Sequence, residues 1–325
     1  MRRGLVFGKF MPLHRGHQHL IDTALSQCDD LTIVVYDSDP AGDYTPMPIE
    51  LRLSWLRSLY PDVENILAVD DPEKHNPNRD APTYASLYAE QLQFLGRFDR
   101  VFSSEATYEQ FARELGAEPV TVDAARGTVP ISGTEIRGDL FQHRGWLDPA
   151  VYASMIRKVV FVGSESTGKS TLARACAEQF DTLWTHEFGR ELWEAQGLTG
   201  SFSDHLLTAR RQYRREEAAL RHSRRFLFCD TNAWTTLQWS LLSYGTADAR
   251  LHELVDRTVH EYLWILCDND FGWVQDGTRE LAGDRADAFQ RRQMEDLARR
   301  DLLPVVVSGP VADRVDQVRD ALGRS

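Results

Sequence analysis

No run of about 18 or more apolar residues occurs in this chain, so no membrane span is expected. Cysteine is scarce. Cys28, Cys176, Cys229 and Cys267 are the only four in 325 residues, and no two form a CxxC pair. That argues against a disulfide framework and a cysteine zinc site, and it reads as reduced thiols in a cytosolic protein. Positive charge is in deficit too: 37 Lys and Arg against 49 Asp and Glu leave a net charge of −12. Non-specific binding of DNA or RNA needs a basic surface, so nucleic acid is not an expected partner. A small anion stays open as a ligand, because a few local cations and backbone N–H groups suffice to hold one. Repeats, low-complexity tracts, long charge runs and Gly/Ser linkers are also missing. The opening "MRRGLVFGKF" is too short for a signal peptide and reads as a first strand.

What is present fits a soluble globular chain. Hydrophobic residues make up 42% and charged residues 26%, and 325 residues allow two domains, each with its own core. Apolar strand-like runs alternate with helical patterns. "GLVFG" (4–8), "LTIVVYD" (31–37), "NILAVD" (65–70), "DRVFSS" (99–104) and "EPVTVD" (118–123) alternate with helices near 16–27, 50–59, 84–95 and 107–115. The pattern restarts at "IRKVVFVG" (156–163) and continues through "RRFLFCD" (224–230), "YLWILCD" (262–268) and "LPVVVSG" (303–309). Strands alternating with helices predict βαβ units and parallel sheets. The expectation is an α/β protein of two doubly wound parallel-sheet domains, 1–152 and 153–325, with the boundary inside "HRGWLDPAVYASM" (143–155).

"GSESTGKST" matches the phosphate-loop pattern G-x-x-x-x-G-K-[ST] and lies between an apolar strand and a helical run. In Gly163, Ser164, Glu165, Ser166, Thr167, Gly168, Lys169, Ser170 and Thr171, glycines let the backbone wrap a phosphate and the helix N-terminus adds positive potential. Lys169 reaches the outer phosphates, and Ser170 can ligate Mg²⁺. Such a loop needs a carboxylate near its metal. Asp230, at the end of "RFLFCD", is the candidate, against the plainer reading of a strand-end helix cap. "THEFGREL" (185–192) follows a short strand, "DTLWTHE", and sets Glu187, Arg190 and Glu191 at a strand end, where ligands of doubly wound sheets bind. Glu187 can take a proton from a substrate hydroxyl and Arg190 can hold phosphate or substrate. A solvated helix start with charge pairs fits the same residues. The aperiodic "CDNDFGWVQDGTRELAGDR" (267–285) reads as a lid, with Arg279 or Arg285 for phosphoryl charge, Asp276 nearby, and Trp273 for stacking on a flat ring.

"GKFMPLHRGH" follows the first strand and opens a helix, with His14 and His17 three apart. There is no HExxH spacing and no nearby cysteine, which disfavours zinc. Two imidazoles at a helix N-terminus suit phosphate oxygens on which charge grows during in-line displacement. The H-x-G-H motif, followed by "ISGTEIRGD" (131–139), resembles the nucleotidylyltransferase superfamily, whose second signature is ISxTxxR. The resemblance implies that His14 and His17 contact the phosphates of ATP, and that Ser132, Thr134 and Arg137 cradle them. A guanidinium clamp at Arg137 is also sound physics. Gly8, Lys9 and Phe10 belong to the same loop, with Lys9 a weaker phosphate candidate.

The stretch 99–137 narrows the match. It resembles the adenylyltransferase part of the bifunctional NadR family, and by that match Ser104, Glu105, Asp123 and Arg126 help hold the adenylyl side. A phosphate loop beginning shortly after ISGTxIR is that family's layout, in which the second domain is a ribosylnicotinamide kinase. Some members begin with a helix-turn-helix. This sequence starts directly at the first strand, so a repressor role is not expected. The resemblance implies two consecutive steps: phosphorylation of nicotinamide riboside to nicotinamide mononucleotide (NMN), then adenylylation of NMN to NAD with release of pyrophosphate. ATP is co-substrate of both, and Mg²⁺ is the implied cofactor. The pyridinium ring wants an aromatic face, for which Trp55, Tyr84 and Trp273 are candidates. A homo-oligomer and docking to a nicotinamide riboside transporter are compatible with this reading. Its rivals are a phosphopantetheine adenylyltransferase joined to a dephospho-CoA kinase, and a NAD- or ATP-sensing protein with one weak site.

Overall fold

Two parallel sheets, each of five strands, organise the chain. The structure is a computed structural model that describes residues 1–38, 46–71, 81–197, 200–270 and 284–323, without the side chains of 81–84. It divides into two units, Met1–Met155 and Ile156–Ser325.

In the first unit the elements run β1 (Arg3–Gly8), α1 (Arg15–Leu25), β2 (Asp30–Asp37), α2 (Ile49–Leu59), β3 (Asn65–Asp70), α3 (Ala81–Leu92) and β4 (Arg100–Ser103). They continue with α4 (Glu109–Glu114), β5 (Glu118–Thr121), α5 (Gly133–Gly138) and α6 (Pro149–Ala153). The strand order is β3-β2-β1-β4-β5. Each pairing is parallel, so β1 and β2 are buried on both faces and read as unbroken apolar runs. The chain winds outward from β1 to β3, then returns to the other side of β1 to lay down β4. That reversal opens a crevice beyond the carboxyl ends of β1 and β4, where the loop starting at Lys9 and the pair Ser104–Glu105 emerge. Leu5, Phe7, Val34, Val101 and Phe111 fill the core between sheet and helices.

The second unit repeats the plan: β6 (Arg157–Val162), α7 (Lys169–Gln179), β7 (Leu183–Thr185), α8 (Phe188–Ala195), α9 (Phe202–Leu220) and β8 (Phe226–Cys229). It ends with α10 (Ala233–Tyr244), α11 (Ala249–Thr258), β9 (Tyr262–Cys267), α12 (Asp284–Arg299), β10 (Val305–Val307) and α13 (Val311–Gly323). The order β10-β9-β6-β8-β7 puts the reversal at β6, so the loop 163–168 leaves the central strand between β8 and β9. Phe161, Leu172, Phe228, Ile265 and Val318 form this core.

The strand runs read from the sequence are present; β1 and β2 start one residue earlier, β3 matches, and the others are shorter at their ends. "EPVTVD" stops at Thr121 because Asp123 takes a left-handed φ of +52°, which turns the chain out of the sheet. "LPVVVSG" pairs only over Val305–Val307. Among the described residues, no helix is long and apolar enough to cross a membrane.

Candidate active sites

The first site is a cavity of about 400 Å³ at the β1/β4 crevice. Lys9, Phe10, His14, His17, Ser104, Glu105, Asp123, Arg126, Ser132, Thr134 and Arg137 all line it. Residues 126 apart in sequence meet there: Arg137 Nη1 donates to the Met11 carbonyl at 2.6 Å and Nη2 to Thr134 Oγ1 at 3.1 Å. Lys9 reaches the wall through Asp71, 3.2 Å from its Nζ. Asp71 is buried and also accepts from Tyr88 Oη at 2.6 Å and from the Ser38 hydroxyl.

The two histidines are organised by the helix they start. His14 is the N-cap of α1, and its Nδ1 accepts from Gly16 N at 3.1 Å. His17 Nδ1 accepts from His14 N at 3.4 Å, which completes a capping box made of imidazoles. The rings stack with centroids 3.9 Å apart. With each Nδ1 accepting, the proton of each neutral ring sits on Nε2, and the ring of His17 already bonds the Pro12 backbone. Burial, then Arg126 and Arg137, push His14 down to about 4. Burial, then His14, push His17 well below its usual value, against a bond to the Pro12 backbone that works the other way. Both rings are therefore neutral donors near pH 7. Gly16 leaves room for this, since a β-carbon there would lie 2.9 Å from His14 Cε1.

Two residues carried over from the resemblance have local tasks as well. The Asp123 carboxylate accepts from Thr128 N and Val129 N at 3.0 and 2.9 Å, so it closes the loop that presents Arg126. Ser132 caps α5 in a reciprocal box with Glu135. Gly8 is the last residue of β1 and does not line the cavity.

The second site is a cavity of about 640 Å³ in the other unit. Glu165, Ser166, Gly168, Lys169, Ser170 and Thr171 form one wall, with Glu187 and Arg190 opposite. Gly163, Ser164 and Thr167 belong to the same loop but do not line the cavity, and Ser164 and Thr167 are buried. Gly163 has φ +136°, and a β-carbon there would come 2.8 Å from the Cys267 carbonyl, so no other residue fits. Lys169 Nζ donates to the carbonyls of Gly163 and Ser164 at 3.2 and 2.7 Å. Asp230 accepts from Ser170, and its Oδ1 is buried without a hydrogen-bond partner among the described residues. Burial pushes Asp230 up, while Ser170, Lys169 and Arg190 oppose that shift. Burial and then Asp230 push Glu187 up to about 7, against Lys169 and Arg190. Arg190 Nε lies 3.8 Å from Glu187. Glu191 is instead bound by Arg215 through contacts of 2.6 and 2.8 Å and plays a structural part.

Of the aromatic candidates named from the sequence, only Trp55 has a described side chain. Trp55 is buried on the apolar face of α2, where its indole N–H donates to Ser154 Oγ at 2.8 Å, and it does not line the first cavity. Trp273, Asp276 and Arg279 lie outside the described residues, as does the side chain of Tyr84. Arg285 is exposed in the first turn of α12 and lines neither cavity. Trp193, Trp239 and Tyr244 line the second cavity, brought together from α8 and α10.

Sequence reasoning also passed over two buried arginines that clamp the site loops. Arg52 donates to the carbonyls of Lys9 and Tyr36 at 2.9 and 2.7 Å and to that of Met47 at 2.9 Å. Arg314 donates to those of Thr167 and Gly309, both at 2.8 Å, and to Asp268 at 3.2 Å, and it pairs with Asp270. The only sign was a cation on the apolar stripe of each helix. Arg314→Met strands those carbonyls and the Asp270 carboxylate, so it should destabilise the second unit by about 3 kcal/mol and weaken ATP binding at the phosphate loop. Denaturant titration followed by tryptophan fluorescence checks the first effect, and the KM for ATP in the kinase assay checks the second.

The fold and sites define a class: a nucleotidyltransferase unit joined to a phosphate-loop kinase unit. The comparisons agree. The cytidylyltransferase-like family matches residues 5–139, and the AAA domain family matches residues 158–314. The trifunctional NAD biosynthesis/regulator protein NadR of Salmonella typhimurium is 32% identical over 92% of this chain and 77% of its own length. Its Escherichia coli counterpart is 31% identical over 90% of this chain and 74% of its own. The nicotinamide-nucleotide adenylyltransferase of Thermococcus kodakarensis is 26% identical over 49% of this chain. A crystal structure of a NadR protein in complex with NR shares the fold, with a TM-score of 0.59, 23% identity, and coverage of 99% of this chain and 96% of that one. The chain belongs to the NadR family.

Proposed function

We propose that this NadR-family chain makes NAD from nicotinamide riboside in two ATP-dependent steps. The second unit transfers the γ-phosphoryl group of ATP to the 5′-hydroxyl of the riboside, giving NMN and ADP. The first unit lets the 5′-phosphate of NMN attack the α-phosphorus of a second ATP. The bond to the β-phosphate breaks, and NAD and pyrophosphate are released. The observation that carries this reading is the pairing of two phosphate sites in one chain of a NAD-biosynthetic family. The chain's substrates are then ATP, nicotinamide riboside and NMN, its product is NAD, and its setting is cytoplasmic.

In the first unit the phosphate nucleophile needs no base. His14 offers an Nε2–H donor, His17 stacks beside it, and Arg126, Arg137 and Lys9 offer positive charge to the triphosphate as pyrophosphate departs. In the second unit, Lys169 and the loop N–H groups bind the outer phosphates. Glu187 accepts the 5′-hydroxyl proton, while Arg190 balances charge beside it. Ser170 and the partner-less Oδ1 of Asp230 form an all-oxygen donor set suited to a hard cation. They would hold Mg²⁺, which would neutralise charge on the transferred phosphates. Trp193, Trp239 and Tyr244 provide the apolar, aromatic faces that a pyridinium ring prefers.

The Glu187 assignment has a pH signature. A base works only when ionised, and its pKa is raised to about 7. Riboside kcat/KM should therefore fall as pH drops through about 7, well above the ordinary carboxylate range. Glu187→Gln should remove that limb and lower the rate by about 10²-fold or more. The function as a whole is tested by its half-reactions. Riboside with ATP should release ADP, and NMN with ATP should release pyrophosphate. Turnover of dephospho-CoA and phosphopantetheine in place of both would overturn the nicotinamide reading.

A further inference from the structure

One largely buried amide lines the floor of the second cavity. Gln212, on α9, is 2% exposed and touches the segments that carry both carboxylates. Its Oε1 accepts from the backbone N–H of Phe188, next to Glu187, at 3.0 Å. Its Nε2 donates to the carbonyl of Thr231, next to Asp230, at 3.3 Å. The same nitrogen lies 3.4 Å from Thr185 Oγ1 at the end of β7 and 3.4 Å from Glu216 Oε1.

The direction of this amide is fixed by its neighbours. Nε2 faces the Thr231 carbonyl, which only accepts, and Oε1 faces the Phe188 N–H, which only donates. A flipped amide would set oxygen against oxygen on one side and N–H against N–H on the other. Glu216, fully buried one turn further along α9, enforces the choice. It accepts from Tyr262 Oη at 2.6 Å and lies 3.9 Å from Lys158 Nζ. Lys158 is in turn held by Glu217 and Glu261 at 2.7 and 2.8 Å.

We propose that Gln212 is a positioning residue for phosphoryl transfer: it fixes the spacing of Glu187 and Asp230 through the backbone beside each, and Glu216 orients its amide. The inference rests on the kinase reading of this cavity. Phosphoryl transfer depends on placement, and an error of about 1 Å can lower a rate by about 10²-fold.

The test uses the full chain and two variants, Gln212→Leu and Gln212→Glu. Leucine removes both polar ends. Glutamate keeps an acceptor for Phe188 but sets a carboxylate oxygen against Glu216 and the Thr231 carbonyl, so the isostere should not rescue. In both, kcat for riboside phosphorylation should fall about 10- to 100-fold. KM for riboside and for ATP should stay within about threefold, and adenylylation of supplied NMN should not change. Folding is followed in the same samples by tryptophan fluorescence melting, since Trp184, Trp193, Trp234, Trp239, Trp264 and Trp273 all belong to the second unit. That transition should be retained. An unchanged kcat in either variant would overturn the proposal. So would a rise in KM at constant kcat, which would make Gln212 a substrate contact. Loss of kcat together with the fluorescence transition in both variants would reduce it to a structural role. Absence of riboside phosphorylation in the unaltered protein would sink the kinase reading itself, and the inference with it.

Discussion

Lys169→Met should lower riboside phosphorylation by about 10³-fold and leave adenylylation of supplied NMN within about twofold. Transfer of the γ-phosphoryl group spreads charge over its outer oxygens, and little covalent chemistry is left for the protein to do. A fixed cation is then the main lever. Lys169 is that cation: it starts α7, and its ammonium rests on the carbonyls of Gly163 and Ser164 beside the loop. Methionine matches the stem in length and packing, so the loss reports charge rather than a cavity. The unaffected partner activity is the internal control, because His14, His17 and Arg137 belong to the other unit. ADP release with riboside and pyrophosphate release with NMN read the two activities separately. Equal loss of both would mean that the two cavities do not work as separate catalysts.

Replacing His14 by alanine should have the converse effect. Adenylylation should fall by about 10²- to 10³-fold, the range for removal of one preorganised donor from a site of developing negative charge. Riboside phosphorylation should be unchanged. His17→Ala should lose a similar factor for two reasons. The His14 ring loses its stacking partner, and the backbone N–H of His14 loses the ring that accepts from it. His14→Asn is informative beside these variants. It keeps a capping acceptor for the start of α1 but cannot reach where Nε2 points, so helix stability should survive while activity does not. The protonation state can be read directly. Burial, Arg126 and Arg137 push His14 down to about 4, so its ring proton signals in the free protein should titrate there. A midpoint at the usual imidazole value would mean that the rings act as cations.

Much of the fold was legible because parallel strands buried on both faces are apolar runs, and such runs lie at the inner strands β1, β2, β6, β8 and β9. The site loops were legible for a related reason. Each follows the central strand of its sheet, so the residues next in sequence are those at the crevice. His14, His17 and Lys169 could therefore be placed from local spacing alone. Arg137 needed a second motif far along the chain, and its meeting with Met11 is visible only in three dimensions.

Other features were illegible for physical reasons. Arg52 and Arg314 lie on the apolar stripes of their helices, and nothing local says that several loop carbonyls converge on each. Gln212 reads as one more polar residue among the arginines of α9, and its importance comes from two loops that end on it. Trp55 was misjudged because tryptophan suggests stacking, whereas here it shares the buried stripe of α2 with Leu56. The aromatic lining of the second cavity draws on separate helices, so no single stretch of sequence announces it.

The central claim is that one chain uses two ATP molecules in different ways, and phosphorus labelling tests it most directly. The protein is incubated with nicotinamide riboside, Mg²⁺ and ATP labelled at either the γ- or the α-phosphorus, and the NAD formed is isolated. NAD should carry one γ-derived phosphorus on its nicotinamide half and one α-derived phosphorus on its adenosine half. NAD with the α-label alone, or labelled NMN that never becomes NAD, would contradict the account.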